Sequence, residues 1–124
     1  MTSRIIAVDP FDLVVFGGTG DLAYRKLLPA LYHRHRDGQI PPVARIIGVS
    51  RRPMTDDAYR QATLEALGKH VSAAEREPDI VETFLARLSY VAVDATASNS
   101  GWGDLQKALA SGEDRIRAFY LAVG

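Results

Sequence analysis

The run Asp12-Leu13-Val14-Val15-Phe16 passes directly into Gly17-Gly18-Thr19-Gly20-Asp21-Leu22-Ala23, and no other stretch of the chain restricts its fold so severely. A short β-branched segment reads as a strand, and the residues after Gly20 read as the start of a helix. Counted from Gly18, the turn between them fits G-x-G-x-x-A. One small residue permits the tight turn, a second lets the backbone approach a pyrophosphate, and the last lets helix and strand pack closely. Unpaired N–H groups at the helix start, helped by the helix dipole, then hold phosphate oxygens. The competing reading is a glycine turn that serves topology alone. A mononucleotide P-loop is excluded, because no Gly-Lys-Ser/Thr follows at the required offset.

The rest of the chain continues this alternation, which predicts a parallel sheet with right-handed crossovers. The first strand is expected at Asp12–Phe16. A helix follows from Asp21 to about Arg36, stopped by Gly38 and broken near Lys26–Leu28 by Pro29, which lacks a donor and crowds the carbonyl of Arg25. The second strand is Arg45–Ser50, and Thr55 before Asp56 and Asp57 caps a helix running to about Lys69. Ser72-Ala73-Ala74-Glu75 reads as a capping box, and Pro78 opens a short helix carrying Ile80, Phe84 and Leu85. A third strand at about Ser89–Asp94, a helix near Trp102–Ala110 and a fourth strand at Arg115–Val123 complete the series. The fold class is therefore α/β, a Rossmann-type doubly wound parallel sheet. With about four strands rather than six, it is expected to be truncated.

The second strand ends Gly48-Val49-Ser50-Arg51-Arg52. A site for NAD usually carries an acid here to hold the ribose 2′-hydroxyl. Two guanidiniums stand in its place, suited to paired, charge-assisted bonds with the 2′-phosphate of NADP. Arg51 is the first candidate and Arg52 its support, against the alternative of a solvated loop pair. Composition narrows the remaining classes. Fifteen basic and fifteen acidic residues balance to zero, unlike a chain built for nucleic acid or a membrane surface. There is no cysteine, so disulfides and zinc-thiolate sites are excluded. No signal-peptide core or membrane-length apolar run occurs, and a cytoplasmic protein is expected.

The segments FGGTGDLAYRKLLPALY and IIGVSRRP together resemble the coenzyme-binding domain of glucose-6-phosphate dehydrogenases, whose pattern is G-[AG]-[ST]-G-D-L-A-x-x-K-L-x-P, then I-[IV]-G-x-x-R. The RDGQIPP loop, SYVAVDAT and the terminal FYLAV also fit, so the resemblance covers essentially the whole chain. Short-chain dehydrogenases and epimerases share GGTG but not its continuation. The resemblance implies that Gly17, Gly18, Thr19, Gly20, Asp21, Leu22 and Ala23 hold the pyrophosphate of NADP and that Arg51 takes its 2′-phosphate. It implies that Asp94 and Ala95 lie beside the coenzyme. Lys26 is implied near the meeting point of coenzyme and sugar phosphate, turned there by the Pro29 break.

The family's reaction, implied for a longer parent, oxidises D-glucose 6-phosphate to 6-phosphogluconolactone with production of NADPH, in a homo-oligomer. Its histidine base lies in an R-I-D-H-Y-L-G-K-E segment and a further lysine in E-K-P-x-G; neither segment occurs in these 124 residues. No catalytic or metal-binding residue is therefore assigned, and the chain is expected to be an NADP-binding domain, residues 1–124, that is inactive without its substrate domain. His33, His35 and His70 lie outside these segments, and His33 and His35 are expected on the surface. Two other readings remain open. One is a free-standing NADP-sensing module. The other is a piece of a short-chain reductase or epimerase, which a Tyr-x-x-x-Lys pair would favour and which the chain lacks.

Overall fold

A computed structural model describes residues 11–40 and 44–93, positions 103, 105 and 107, and residues 116–121. Four strands, β1 (Phe11–Phe16), β2 (Arg45–Ser50), β3 (Leu88–Ala92) and β4 (Ile116–Leu121), form one parallel sheet in the order β3-β2-β1-β4. The chain moves outward from β1 through β2 to β3, then returns to pair β4 with the other side of β1. That reversal makes the C-terminal ends of β1 and β4 the switch point at which sheets of this class bind ligands. The α/β expectation and all four strands are met, with limits shifted by one or two residues at β1, β3 and β4.

Alternation along the strands divides the apolar side chains between two faces. Val15, Ile46, Leu88 and Tyr90 share a core with Tyr32, Tyr59, Leu67 and Phe84 from the helices α1 (Leu28–Arg36), α2 (Asp56–His70) and α3 (Pro78–Leu85). Val14, Ile47, Val49 and Val93 lie on the other face, with Leu105. Position 105 is helical, as are 103 and 107, in keeping with the helix expected near Trp102–Ala110, most of which lies outside the described residues. At the strand starts, the fully buried carboxylate of Asp12 accepts two bonds from Arg45, Nε at 2.8 Å and Nη2 at 2.6 Å, across the register pair that joins β1 to β2.

Local chemistry explains the helix limits. Thr55 caps α2 by accepting the Ala58 N–H at 3.0 Å, and Pro78 occupies the first turn of α3. The Pro29 break takes a specific form. Ala23–Leu27 is a π-helical turn, closed by the Leu28 N–H on the Ala23 carbonyl, and α1 begins only at Leu28. The wider turn accommodates the donor that proline lacks. Gly38, at φ 72°, ends the segment in the left-handed region.

Two local expectations need correction. Ser72–Glu75 does not start a helix. The Ser72 hydroxyl bonds the Glu75 carboxylate at 2.8 Å, and the Glu75 N–H bonds the Ser72 carbonyl, which closes a turn before α3. Nor is His35 a plain surface residue. It packs on Phe84, its Nδ1 accepts the Arg87 Nε–H at 2.9 Å, and its Nε2 lies 2.9 Å from the Thr83 hydroxyl. Arg87 also donates to the carbonyls of Ala44 and Ile40, so this cluster ties α1, α3 and the entry to β2 together.

Because Nδ1 must accept, the cluster requires neutral His35. Burial, then the Arg87 charge, lowers its pKa against an opposing bond that the ring donates to the Ile80 carbonyl. A group whose pKa is lowered on folding stabilises the fold above its unfolded pKa of about 6.5, and that contribution disappears as pH falls through the folded value. Thermal unfolding measured from pH 7.5 to 5 should show this loss, and His35→Gln should flatten that part of the profile. An unchanged slope in the variant would remove His35 as its source.

Two outward backbone groups of β3, an edge among the described strands, are bonded by α2. Asp56 accepts the Tyr90 N–H at 2.8 Å, and Arg60 Nε donates to the Leu88 carbonyl at 3.0 Å.

Candidate functional site

The glycine turn stands at the switch point. Gly17, at φ 80°, makes the sharp exit from β1 that a side chain would strain. The N–H groups of Gly17 and Gly18 both bond the Val49 carbonyl, at 2.8 and 3.1 Å, which locks the turn to β2. Gly20 N–H closes on the Gly17 carbonyl at 3.0 Å. For the N–H groups of Thr19, Asp21, Leu22 and Ala23, no acceptor is found among the described residues. Clustered donors at a helix start, next to a turn too tight for side chains, are the chemistry that holds an anionic phosphate.

Close packing beneath the turn comes from a residue that the motif does not include. Tyr59, fully buried on α2, donates its hydroxyl to the Gly18 carbonyl at 2.9 Å. Its ring covers Gly48, the residue between Val15 and Tyr90 in sheet register. A Cβ at Gly48 would lie 2.5 Å from that ring, and one at Gly18 would lie 2.9 Å from the Tyr59 oxygen and 3.0 Å from the Gly48 Cα. Burial raises the Tyr59 pKa far above the usual phenol value, so it remains a donor. Tyr24, Tyr59 and Tyr90 form a row of mutually tilted rings with centroids 6.1 and 5.1 Å apart.

Arg51 and Arg52 follow β2 directly, and both are exposed. Neither side chain has a hydrogen-bond or ion-pair partner among the described residues. The positive charge of Arg52 is felt at the Tyr24 hydroxyl on the π turn, where it opposes the larger upward effect of burial on that phenol. Ser50 is bonded on both sides, by the Thr19 hydroxyl at 2.9 Å and the Tyr90 hydroxyl at 2.5 Å. The glycine turn and the paired arginines are thus brought to one edge of the sheet. Leu22 and Ala23 belong to the helix start, Ala23 fully buried, while Asp21 is exposed and pairs with Arg25 at 3.0 Å. Lys26 is exposed within the π turn. Asp94 and Ala95 lie outside the described residues. No cluster able to hold a metal is found among the described residues, and no described helix is long and apolar enough to cross a membrane.

Residues 14–124 match the family model for the NAD binding domain of glucose-6-phosphate dehydrogenase. The chain belongs to the glucose-6-phosphate dehydrogenase family. It is 57% identical over 124 residues to the glucose-6-phosphate 1-dehydrogenase of Rhizobium meliloti (strain 1021), covering 100% of this chain and 25% of that protein. The corresponding enzyme of Gluconobacter oxydans (strain 621H) is 47% identical over 116 residues, covering 93% of this chain and 24% of the relative. A glucose-6-phosphate dehydrogenase solved in complex with glucose-6-phosphate superposes with a TM-score of 0.80 at 26% identity, covering 96% of this chain and 26% of that one. The chain thus spans about a quarter of the length of the curated relatives it matches. It carries the family's nicotinamide-dinucleotide-binding domain.

Ser50, Tyr59 and Tyr90 are the site residues that sequence reasoning missed. Gly48 was the available signal for Tyr59, since an isolated glycine inside a strand marks a close approach by another group.

Proposed function

We propose that the chain, residues 1–124, is the NADP-holding domain of a cytoplasmic, homo-oligomeric glucose-6-phosphate dehydrogenase that oxidises D-glucose 6-phosphate to 6-phosphogluconolactone in carbohydrate metabolism. The observation that carries the NADP preference is the end of β2, where Arg51 and Arg52 stand without a carboxylate and with no protein partner for either guanidinium among the described residues. The N–H groups of Thr19, Asp21, Leu22 and Ala23 would take the pyrophosphate, and Arg51 with Arg52 the 2′-phosphate. Lys26 would reach toward the sugar phosphate, and Asp94 and Ala95 would flank the coenzyme. When bound, the nicotinamide supplies a hydride acceptor for C1 of the sugar. The domain's own work is to bind the coenzyme and fix its orientation.

Titration of the chain with NADP and with NAD, followed by calorimetry, tests this reading. NADP is expected to bind at least about tenfold more tightly, the equivalent of roughly 1.4 kcal/mol. Equal affinities would refute the preference.

Proton removal from the C1 hydroxyl needs a base, and no histidine is bonded to the glycine turn or to the paired arginines among the described residues. His35 is engaged by Arg87 at the opposite end of the strands, and His33 lies 3.8 Å from Glu75. Glucose 6-phosphate and NADP mixed with the chain should therefore yield no NADPH by absorbance. Turnover at a rate near that of a full-length relative would mean that a base has been overlooked, with His70 the first suspect.

A further inference from the structure

The hydroxyl groups beneath the paired arginines form a chain whose direction can be worked out. The Tyr90 oxygen lies 2.5 Å from the Arg52 carbonyl, which can only accept, so Tyr90 donates there. With its proton committed, Tyr90 must accept from Ser50, 2.5 Å away. Ser50 in turn must accept from Thr19, whose hydroxyl lies 2.9 Å away. The order is therefore Thr19 to Ser50 to Tyr90 to the Arg52 carbonyl, and the Arg52 N–H returns to the Ser50 oxygen at 3.3 Å. Hydrogen bonds in such a series polarise and strengthen one another.

The Tyr90 ring is itself fixed. It is buried against Tyr59, and its backbone N–H is held by Asp56. Arg51 is consequently bracketed by two anchored neighbours, although its own side chain is exposed. One end of the series lies in the glycine turn and the other in the backbone that carries the arginines.

We propose that Ser50 and Tyr90 are positioning residues for coenzyme selectivity, holding the Arg51-Arg52 backbone in place for a 2′-phosphate and linking it through Thr19 to the pyrophosphate turn. The proposal rests on the reading that these arginines face the 2′-phosphate. Neither Ser50 nor Tyr90 need touch the coenzyme. A side chain that only supported the core would affect NADP and NAD alike, because both carry the pyrophosphate and adenosine. One that aims the arginines affects NADP alone.

The test measures the affinities of the chain for NADP and NAD by calorimetry, together with its melting temperature. Tyr90→Phe keeps the ring and removes the link to Arg52. Ser50→Ala removes the middle of the series, and Ser50→Thr restores a hydroxyl. Tyr90→Phe and Ser50→Ala should each lower the NADP-to-NAD affinity ratio by about three- to tenfold, the equivalent of one hydrogen bond. Ser50→Thr should preserve the ratio, and Tyr90→Phe should have no further effect on it once Arg51 and Arg52 are both alanine. Equal losses for the two coenzymes, or an unchanged ratio, would overturn the proposal while leaving the arginine reading intact. A ratio unmoved by the double arginine variant would overturn that reading and the proposal with it.

Discussion

Arg51→Glu is expected to weaken NADP binding by about two orders of magnitude while leaving NAD binding within about threefold. A hydrogen bond to a charged group contributes roughly 1.5–3 kcal/mol, and each 1.4 kcal/mol is about tenfold in affinity. The substitution removes that bond and adds a carboxylate beside the 2′-phosphate. Solvent screening at this exposed position limits the added repulsion to a smaller share. NAD presents only a hydroxyl there, which a glutamate can accept from. Titration of the variant with both coenzymes decides the matter. Parallel losses would return Arg51 to the status of a solvated loop residue.

Gly48→Ala should be among the most destabilising single-methyl additions in the domain, at about 2–4 kcal/mol. Overpacking a core commonly costs about 1–3 kcal/mol, and more where the obstacle cannot move. Here the obstacle is a ring with 0% exposure, reached at 2.5–2.6 Å, that is tied by its hydroxyl to the Gly18 carbonyl. Displacing Tyr59 also pulls on the phosphate turn, so coenzyme affinity should fall with stability. Denaturant midpoints provide the first measurement and titration the second. Tyr59→Leu in the Gly48→Ala background should recover part of the stability, because the smaller side chain vacates the space the methyl needs. A variant as stable as the parent would show that the ring moves freely.

Much of this architecture could be read from local pattern. The limits of β2, the cap of α2 and the proline start of α3 each depend on a few adjacent residues, and Arg45–Ser50, Thr55 and Pro78 lie where their chemistry puts them. The Pro29 break was legible as a break but not as a π turn, since the form of the relief depends on which neighbouring donors find acceptors. The failures share a cause. Tyr59 reaches Gly18 across 41 positions, Tyr90 reaches Ser50 across 40, and Arg87 reaches His35 across 52. Such contacts exist only once the sheet register is set, and no local window contains them. His35 was misjudged for this reason. A mixed helix of histidines and arginines has the composition of a solvated face, and only the arrival of Arg87 and Phe84 makes part of it an interior.

The side chains that close β3 also determine how this sheet can grow. With Asp56 and Arg60 already bonded to its outward backbone, a passing extended segment finds the Tyr90 N–H and the Leu88 carbonyl already taken. Among the described strands, β4 is the other margin, and no such pair of bonds is found along it. Assembly of a larger sheet thus has a polarity set by two side chains on a helix, and molecules stacked margin to margin at β3, the first step toward fibrous precipitates, are disfavoured from the outset.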